Sequence, residues 1–358
     1  MAVRENPIRA RLYIRKFAKL HAGACGMSPE ELYRDILRVK HISRISLQEY
    51  LWTGCWALSG EQKRSVSTLY TRAEFRRRFT DRRYKGILTH KYYFSRVFSE
   101  FYGRDCVLLS RATPETLFAL AEKTGKIVIK PNCKGQGREV AVLPLRTDED
   151  LRAVQEAARK TGDGIAEAYI VQHPALAAFN PGAVHIIRFY SICSPMGAML
   201  FAPVLTVANT LPIANGSRDA LTAMVDIRTG LVATDAVDQN AVRDYAAHPV
   251  TGHVFRGAQI PFWKETIDMM CQAVPMASRI SNVGWDIAIT PEGPLIVEAN
   301  TIPGFNSAQY RGFASLTDGF FYQPLFDEGM TGRTLEHPER YERVLLRLHT
   351  GTSKTFNA

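Results

Sequence analysis

The chain has 358 residues, 46% of them hydrophobic and 22% charged, which excludes a disordered, collagenous or low-complexity chain and leaves room for two or more domains. Lysine and arginine number 45 against 35 acids, a net charge of +10, so the surface field favours an anionic ligand: nucleotide, nucleic acid, acidic polymer or membrane surface. No apolar run approaches the roughly 18 residues of a membrane span. The cysteines (Cys25, Cys55, Cys106, Cys133, Cys193, Cys271) form no CxxC pair, which fits reduced thiols in a cytoplasmic protein.

Residues 1–84 predict a basic helical region. Arg9, Arg11, Arg15, Lys16 and Lys19 belong to a surface helix whose charged face is solvated or touches anionic lipid or polymer; the solvated face is the plainer reading. Ser28-Pro29-Glu30-Glu31 starts a helix: an N-cap, proline at the first helical position, acids in the first turn. A second apolar stretch, Leu47 to Leu58, sets Trp52 and Trp56 four apart on one helix face. Six arginines between Arg72 and Arg83 make either a solvated face or an anion-facing patch.

From Tyr84 the pattern changes. A helix is expected over Lys91 to Tyr102, stopped by Gly103, and another from Thr113 to Gly125. A buried strand, Ile127 to Ile129, delivers Lys130 to a glycine-containing turn, and a strand returns over Val140 to Leu143. After a capped helix at Thr147 to Gly162, strands are predicted at 168–172, 186–192, 199–207 and 221–227, then a helix around Phe262 to Ala273. The order reads as α+β with mostly antiparallel strands.

The sharpest chemistry is in the closing hairpin, GWDIAITPEGPLIVEANTIPG. Asp286 interrupts an apolar strand; Glu298 and Asn300, two apart, share a face of the returning strand. A three-residue turn, Pro291 to Gly293, puts Asp286 opposite Glu298. Two carboxylates among apolar neighbours need compensation. An all-oxygen set suits Mg²⁺, which usually comes with phosphate. The alternative is a polar outer face, which accounts less well for the pattern D-x(11)-E-x-N. In IVIKPNCKGQGREVAVL, Lys130 and a tight turn over Gly135, Gln136 and Gly137 could cradle phosphate, or form an ordinary β-hairpin. Walker-loop order is absent. Arg188, in the apolar strand VHIIRFYSIC, needs an ion-pair partner or an anionic ligand. His173, His185 and His248 are read as hydrogen-bonded structural histidines rather than catalytic ones.

This order resembles the ATP-grasp superfamily, and most closely its sugar-transfer-associated, or alpha-L-glutamate-ligase-related, branch. HPVTGHVFRGAQIPFW, ahead of GWDIAITPEGPLIVEAN, carries the closer likeness, which runs from about Tyr84 to Gln309. It implies an ATP-grasp fold with a helical N-terminal region at 1–84, a lid subdomain at 85–170, a core subdomain at 171–345 and a tail at 346–358. It also implies ATP and Mg²⁺ as cofactors. Lys91 and Lys130 would reach the phosphates, Gly135, Gln136 and Gly137 would close over them, and Glu167, Tyr169 and Ile170 would hold adenine at the hinge. Arg188 would face the γ-phosphate and acyl group as the catalytic cation, and Asp286, Glu298 and Asn300 would bind Mg²⁺.

Two departures touch the acceptor side: His185 and Ile186 stand where the branch places Asn-Thr, and Asn215-Gly216-Ser217-Arg218 is poorer in glycine. The activity implied is an ADP-forming carboxylate–amine ligase acting on small molecules, with an amino acid or sugar acid as candidate substrates and nucleic acid not expected. The alternatives are a kinase acting on a hydroxyl and a nucleotide-gated binder of an acidic polymer. The acid, the amine and the oligomeric state stay open.

Overall fold

A computed structural model describes residues 7–60, 63, 66–133, 140–194, 197–209, 220–238, 243–304 and 344–346. Gly135, Gln136 and Gly137 lie outside them, as does Asn215-Gly216-Ser217-Arg218.

The N-terminal region is helical: α1 Pro7–His21, α2 Pro29–Ser43, α3 Leu47–Trp52 and α4 Leu69–Phe79. Ser28 caps α2 in a full capping box with Glu31 and proline behind it, and Ser46 repeats the device on α3 with Glu49. The expected helix across Trp52 and Trp56 is broken. Gly54 takes φ +61°, so α3 ends at Trp52 and only a 3₁₀ turn, Cys55–Ala57, follows. The two tryptophans therefore serve different cores: Trp52 joins the main one, and Trp56 packs against the N-terminal cluster of Ile14, Leu32, Ile36, Val39 and Tyr50.

Nor does the arginine run form one exposed face. Arg72 is buried, with Nη2 3.1 Å from Glu49. Arg77 and Arg78 both hold Glu74, at 2.6 and 2.8 Å. On the other side of α4, Phe75 and Phe79 face the main core.

Helices α5 Lys85–Thr89, α6 Lys91–Val97 and α7 Ser99–Tyr102 lead into the sheets. The single helix expected over Lys91 to Tyr102 is two, because Phe98 leaves helical geometry to pack edge-on against Trp285, ring centroids 5.5 Å apart. The first sheet holds β1 Cys106–Leu108, β2 Lys126–Pro131, β3 Ala141–Pro144 and β4 Gly164–Ala168, in the order β1-β4-β2-β3, all antiparallel. Helices α8 Pro114–Ala121 and α9 Asp148–Thr161 cover one face through Leu117, Leu120, Ile127, Ile129, Val154 and Ala166. Alternation then turns Lys130 and Glu167 to the other face. The strand expected at 168–172 sits four residues earlier: Ala166 enters the core, Ile165 is buried on the Glu167 face, and the chain leaves the sheet after Ala168.

Among the described residues the second sheet has eight strands. In chain order they are β5 Ile186–Ser194, β6 Gly197–Ala208, β7 Ala220–Met224, β8 Ala236–Val237, β9 Asp244–Tyr245, β10 Asn282–Thr290, β11 Gly293–Asn300 and β12 Val344–Leu346. Their order is β11-β10-β5-β6-β7-β8-β9, with β12 parallel to β6. Strand β7 stops at Met224, short of the expected Ile227, because Asp226 to Gly230 turns back through Gly230 N–H to Asp226 O at 2.8 Å. Two more helices, α10 Pro174–Ala177 and α11 Trp263–Met276, complete the unit.

Gly230 has φ +73°, and a Cβ there would lie 2.4 Å from the Trp263 ring. Trp263 in turn stacks on Phe189, next to Arg188, at 5.5 Å. Gly230→Ala combines left-handed strain with overpacking and should cost about 2–4 kcal/mol, read as a lower urea midpoint. An unchanged midpoint would show that this turn yields freely.

His185 is fully buried at the start of β5 and accepts from Ala208 N–H at 3.4 Å. Burial, with His248 nearby, lowers its pKa from 6.5 to about 4, against the opposing effect of the Asn180 carbonyl. Between these values the unfolded chain binds the proton and the folded one does not. The stability from neutral His185 is thus complete above about pH 6.5 and falls toward pH 4, by up to about 3 kcal/mol. His185→Gln should flatten the wild-type slope of stability against pH by one proton in that window. Parallel slopes would refute the assignment.

Candidate nucleotide and metal site

Asp286, Glu298 and Arg188 form a row across three strands. Asp286 pairs in register with Arg188 on β5 and with Glu298 on β11. The route to that register differs from the expected one. The turn is one residue tighter, with Thr290 opposite Gly293, and a β-bulge at Val297 restores Asp286 opposite Glu298.

The Arg188 guanidinium grips both Asp286 oxygens, Nη2 lying 2.6 Å from Oδ2. Burial raises the Asp286 pKa and Glu298 adds to it, while Arg188 opposes both. Burial likewise disfavours the Arg188 cation, and Asp286 more than offsets this, so its pKa is raised. The Asn300 amide lies 3.5 Å from Asp286 Oδ2 and 3.4 Å from Glu298 Oε1.

Two carboxylates and an amide thus converge. No group of three or more His, Cys, Asp or Glu side chains among the described residues could hold a metal. The donor set is therefore thin for a protein cage and suits a hard cation whose other ligands come from water and phosphate, as Mg²⁺ requires. Turning the Asn300 amide over would present its oxygen.

Glu167 forms the second centre. Its buried carboxylate receives Lys130 Nζ at 2.5 Å, Arg104 Nη2 at 3.1 Å and the Tyr102 hydroxyl. Burial alone would raise its pKa; Arg104 and Lys130, with these hydrogen bonds, pull it down to about 2. Lys91 is close enough to feel Glu298 of the first centre and Lys130 and Glu167 of the second. Burial lowers its pKa, and the carboxylates only partly restore it. Among the expected site residues, Lys91, Lys130 and Glu167 are thus brought toward Arg188, Asp286, Glu298 and Asn300.

Tyr169 and Ile170 follow β4 and line a cleft of about 920 Å³ whose wall includes Tyr102 and Arg104, the partners of Glu167, with Cys106 and Leu295. Lys91, Lys130, Asp286 and Glu298 do not line that cleft. Of the histidines, His173 accepts from Ala175 N–H at 3.1 Å, and His248 Nε2 lies 3.1 Å from Ala208 O.

Two residues that sequence reasoning passed over organise the site. Asn132 is buried; its carbonyl accepts from Lys91 N–H at 3.0 Å and its Oδ1 from Tyr92 N–H at 3.1 Å. It thereby ties the start of α6, and Lys91 with it, to the strand end carrying Lys130. Arg104 donates to Glu167, to Ile296 O at 3.1 Å and to Val297 O at 3.0 Å. A cation between Gly103 and an apolar strand was the available signal, of the kind that singled out Arg188.

Arg104→Met leaves a buried carboxylate and three carbonyls, those of Tyr102, Ile296 and Val297, short of donors and should cost about 3–5 kcal/mol in chemical denaturation. Arg104→Lys keeps the charge but cannot span four acceptors, so it should recover only part. If lysine restores full stability, charge alone matters and the fork geometry does not.

Solved structures similar to this chain include the ATP-grasp ligase PsnB complexed with minimal precursor (13% identity, TM-score 0.40, 69% of this chain and 63% of that one). Others are D-alanine–D-alanine ligase from Bacillus anthracis complexed with ATP (15%, 0.40, 70% and 66%) and N5-carboxyaminoimidazole synthetase from Staphylococcus aureus complexed with ADP (8%, 0.40, 64% and 52%). The chain spans about half to two thirds of the length of these structures. No curated protein matches it. The family described as sugar-transfer associated ATP-grasp matches residues 72–319, well over half of the chain and the whole of both charged centres. The chain belongs to the sugar-transfer associated ATP-grasp family.

Proposed function

We propose that the protein is an ATP- and Mg²⁺-dependent ligase that joins a carboxylate to an amine through an acyl phosphate. The observation that carries this reading is the convergence of Lys91 and Lys130, on one side, with the row Arg188–Asp286–Glu298 and Asn300 on the other. Family membership supplies the nucleotide. In this reading residues 85–170 bring the lysines and Glu167 over a core unit, 171–345, that carries the row.

Lys130 keeps donors for phosphate beyond its bond to Glu167, since an ammonium has three. Lys91, held by Asn132, adds a second cation from the helix side. Asp286, Glu298 and Asn300 would hold Mg²⁺, which when bound neutralises phosphate charge. A carboxylate oxygen attacks the γ-phosphorus as the bond to the ADP oxygen breaks. The amine nitrogen then attacks the acyl carbon, phosphate leaves, and the nitrogen loses a proton. Arg188 would stabilise negative charge on the transferring group, and the protein's work is positioning and electrostatics rather than covalent catalysis. Acids with one amine partner, an amino acid or a sugar acid among them, are the substrates to try first.

The test is ADP release over a matrix of carboxylates and amines with Mg²⁺. Turnover that needs both, with an amide product, supports the ligase. A stable phosphorylated hydroxyl compound made without any amine overturns it in favour of a kinase.

Glu298→Gln removes one anionic ligand and should lower ADP formation about a hundredfold or more at unchanged melting temperature. Near-normal turnover in the folded variant would remove the metal role. Lys130→Ala should weaken ATP binding by roughly 1.5–3 kcal/mol in calorimetric titration, the worth of a charge-assisted hydrogen bond. Equal affinities would leave Lys130 as a structural partner of Glu167.

A further inference from the structure

Helix α1 has two apolar faces, and only one is used by the fold. Ile14 and Ala18 are buried in the N-terminal cluster, with Phe17 packed against it. On the other side Ile8, Leu12, Tyr13 and Leu20 are 68, 61, 67 and 77% exposed. Of the large apolar side chains more than 60% exposed among the described residues, only Val250 lies elsewhere. At 100° per residue these four, with Arg9, Lys16 and Lys19, fall within an arc of about 140°. The helix carries no acid at all, while Arg15 borders the same arc and Arg11 lies beyond it on that side. Arg15 also lies over the Tyr33 ring at 5.0 Å, holding its charge at the helix flank.

We propose that this outer face of α1 seats the protein on an anionic lipid bilayer. Scattered exposed leucines are ordinary, but a contiguous patch of them between cations is not. An anionic interface satisfies both halves. The apolar side chains enter the headgroup boundary, and the lysines and arginines reach back to lipid phosphates on their long stems. A nucleic-acid backbone would answer the charge and leave the apolar groups wet. A second copy of the same face would set like charges against each other. No described helix is long and apolar enough to cross a membrane, so the contact is peripheral. The proposal is independent of the ligase reading, because no residue of the arc belongs to the nucleotide or metal site.

The experiment is flotation of the full chain with vesicles of phosphatidylcholine alone and of phosphatidylcholine with 30% phosphatidylglycerol, at low and at high salt. Wild type should float with the anionic vesicles at low salt, and at least tenfold less with neutral ones or at high salt. Two variants separate the contributions: Leu12→Gln with Leu20→Gln, and Arg9→Gln with Lys16→Gln and Lys19→Gln. Each should reduce binding to anionic vesicles at least tenfold while leaving the melting temperature and lipid-free ATP turnover unchanged. The proposal is overturned if wild type does not float, or if either variant floats as wild type does. It is also overturned if the face instead binds duplex DNA or self-associates in sedimentation, with the leucine variant abolishing that and not flotation.

Discussion

The Glu167 carboxylate is the joint on which the two sheets turn. It sits in β4 of the smaller sheet, yet its partners come from three places: Lys130 on β2, Arg104 before β1 and Tyr102 at the end of α7. A buried acid that draws two cations and a hydroxyl repays its desolvation only while all remain aligned. Arg104 carries that alignment across to the larger sheet through Ile296 and Val297, two residues and one residue before Glu298. The position of the proposed phosphate lysine and that of a proposed metal ligand are therefore set by one charged group.

Arg188 and Asp286 form a second balance. Asp286 is buried and Arg188 half-buried, and each makes the other's charge tolerable, so this pair is electrically settled by the chain's own groups. A cation arriving beside Asp286 competes with the guanidinium, and an arriving anion offers that guanidinium a new partner. Occupancy of one side would thus prepare the other, which suits the proposed ligase, in which metal, nucleotide and acid would assemble together.

Much of this was legible in the sequence, for physical reasons. N-caps at Ser28, Thr113 and Thr147 are local, and each formed as expected. Asp286 and Glu298 stood out because alternation leaves no apolar excuse for a carboxylate in such strands. Where expectation failed, tertiary packing had overruled a local pattern. Phe98 breaks a helix to reach Trp285, and Ile165 and Ala166, buried on opposite faces, pull the hinge strand back by four residues. Arg104 and Asn132 were silent because their significance lies in backbone carbonyls and amides far away in sequence, which composition and spacing do not register. The family resemblance reached the same branch that residues 72–319 match.

The bulge at Val297 has a consequence for how the molecule keeps to itself. Strand β11 is an edge of the eight-stranded sheet, and an open edge is a template for a strand from another chain. In a regular strand, successive carbonyls point to opposite sides, so one guanidinium could not take two in a row. The bulge turns those of Ile296 and Val297 toward Arg104 together, which occupies both and leaves no ladder there to extend. The irregularity that sets the register of Glu298 also blunts the sheet as a seed for aggregation.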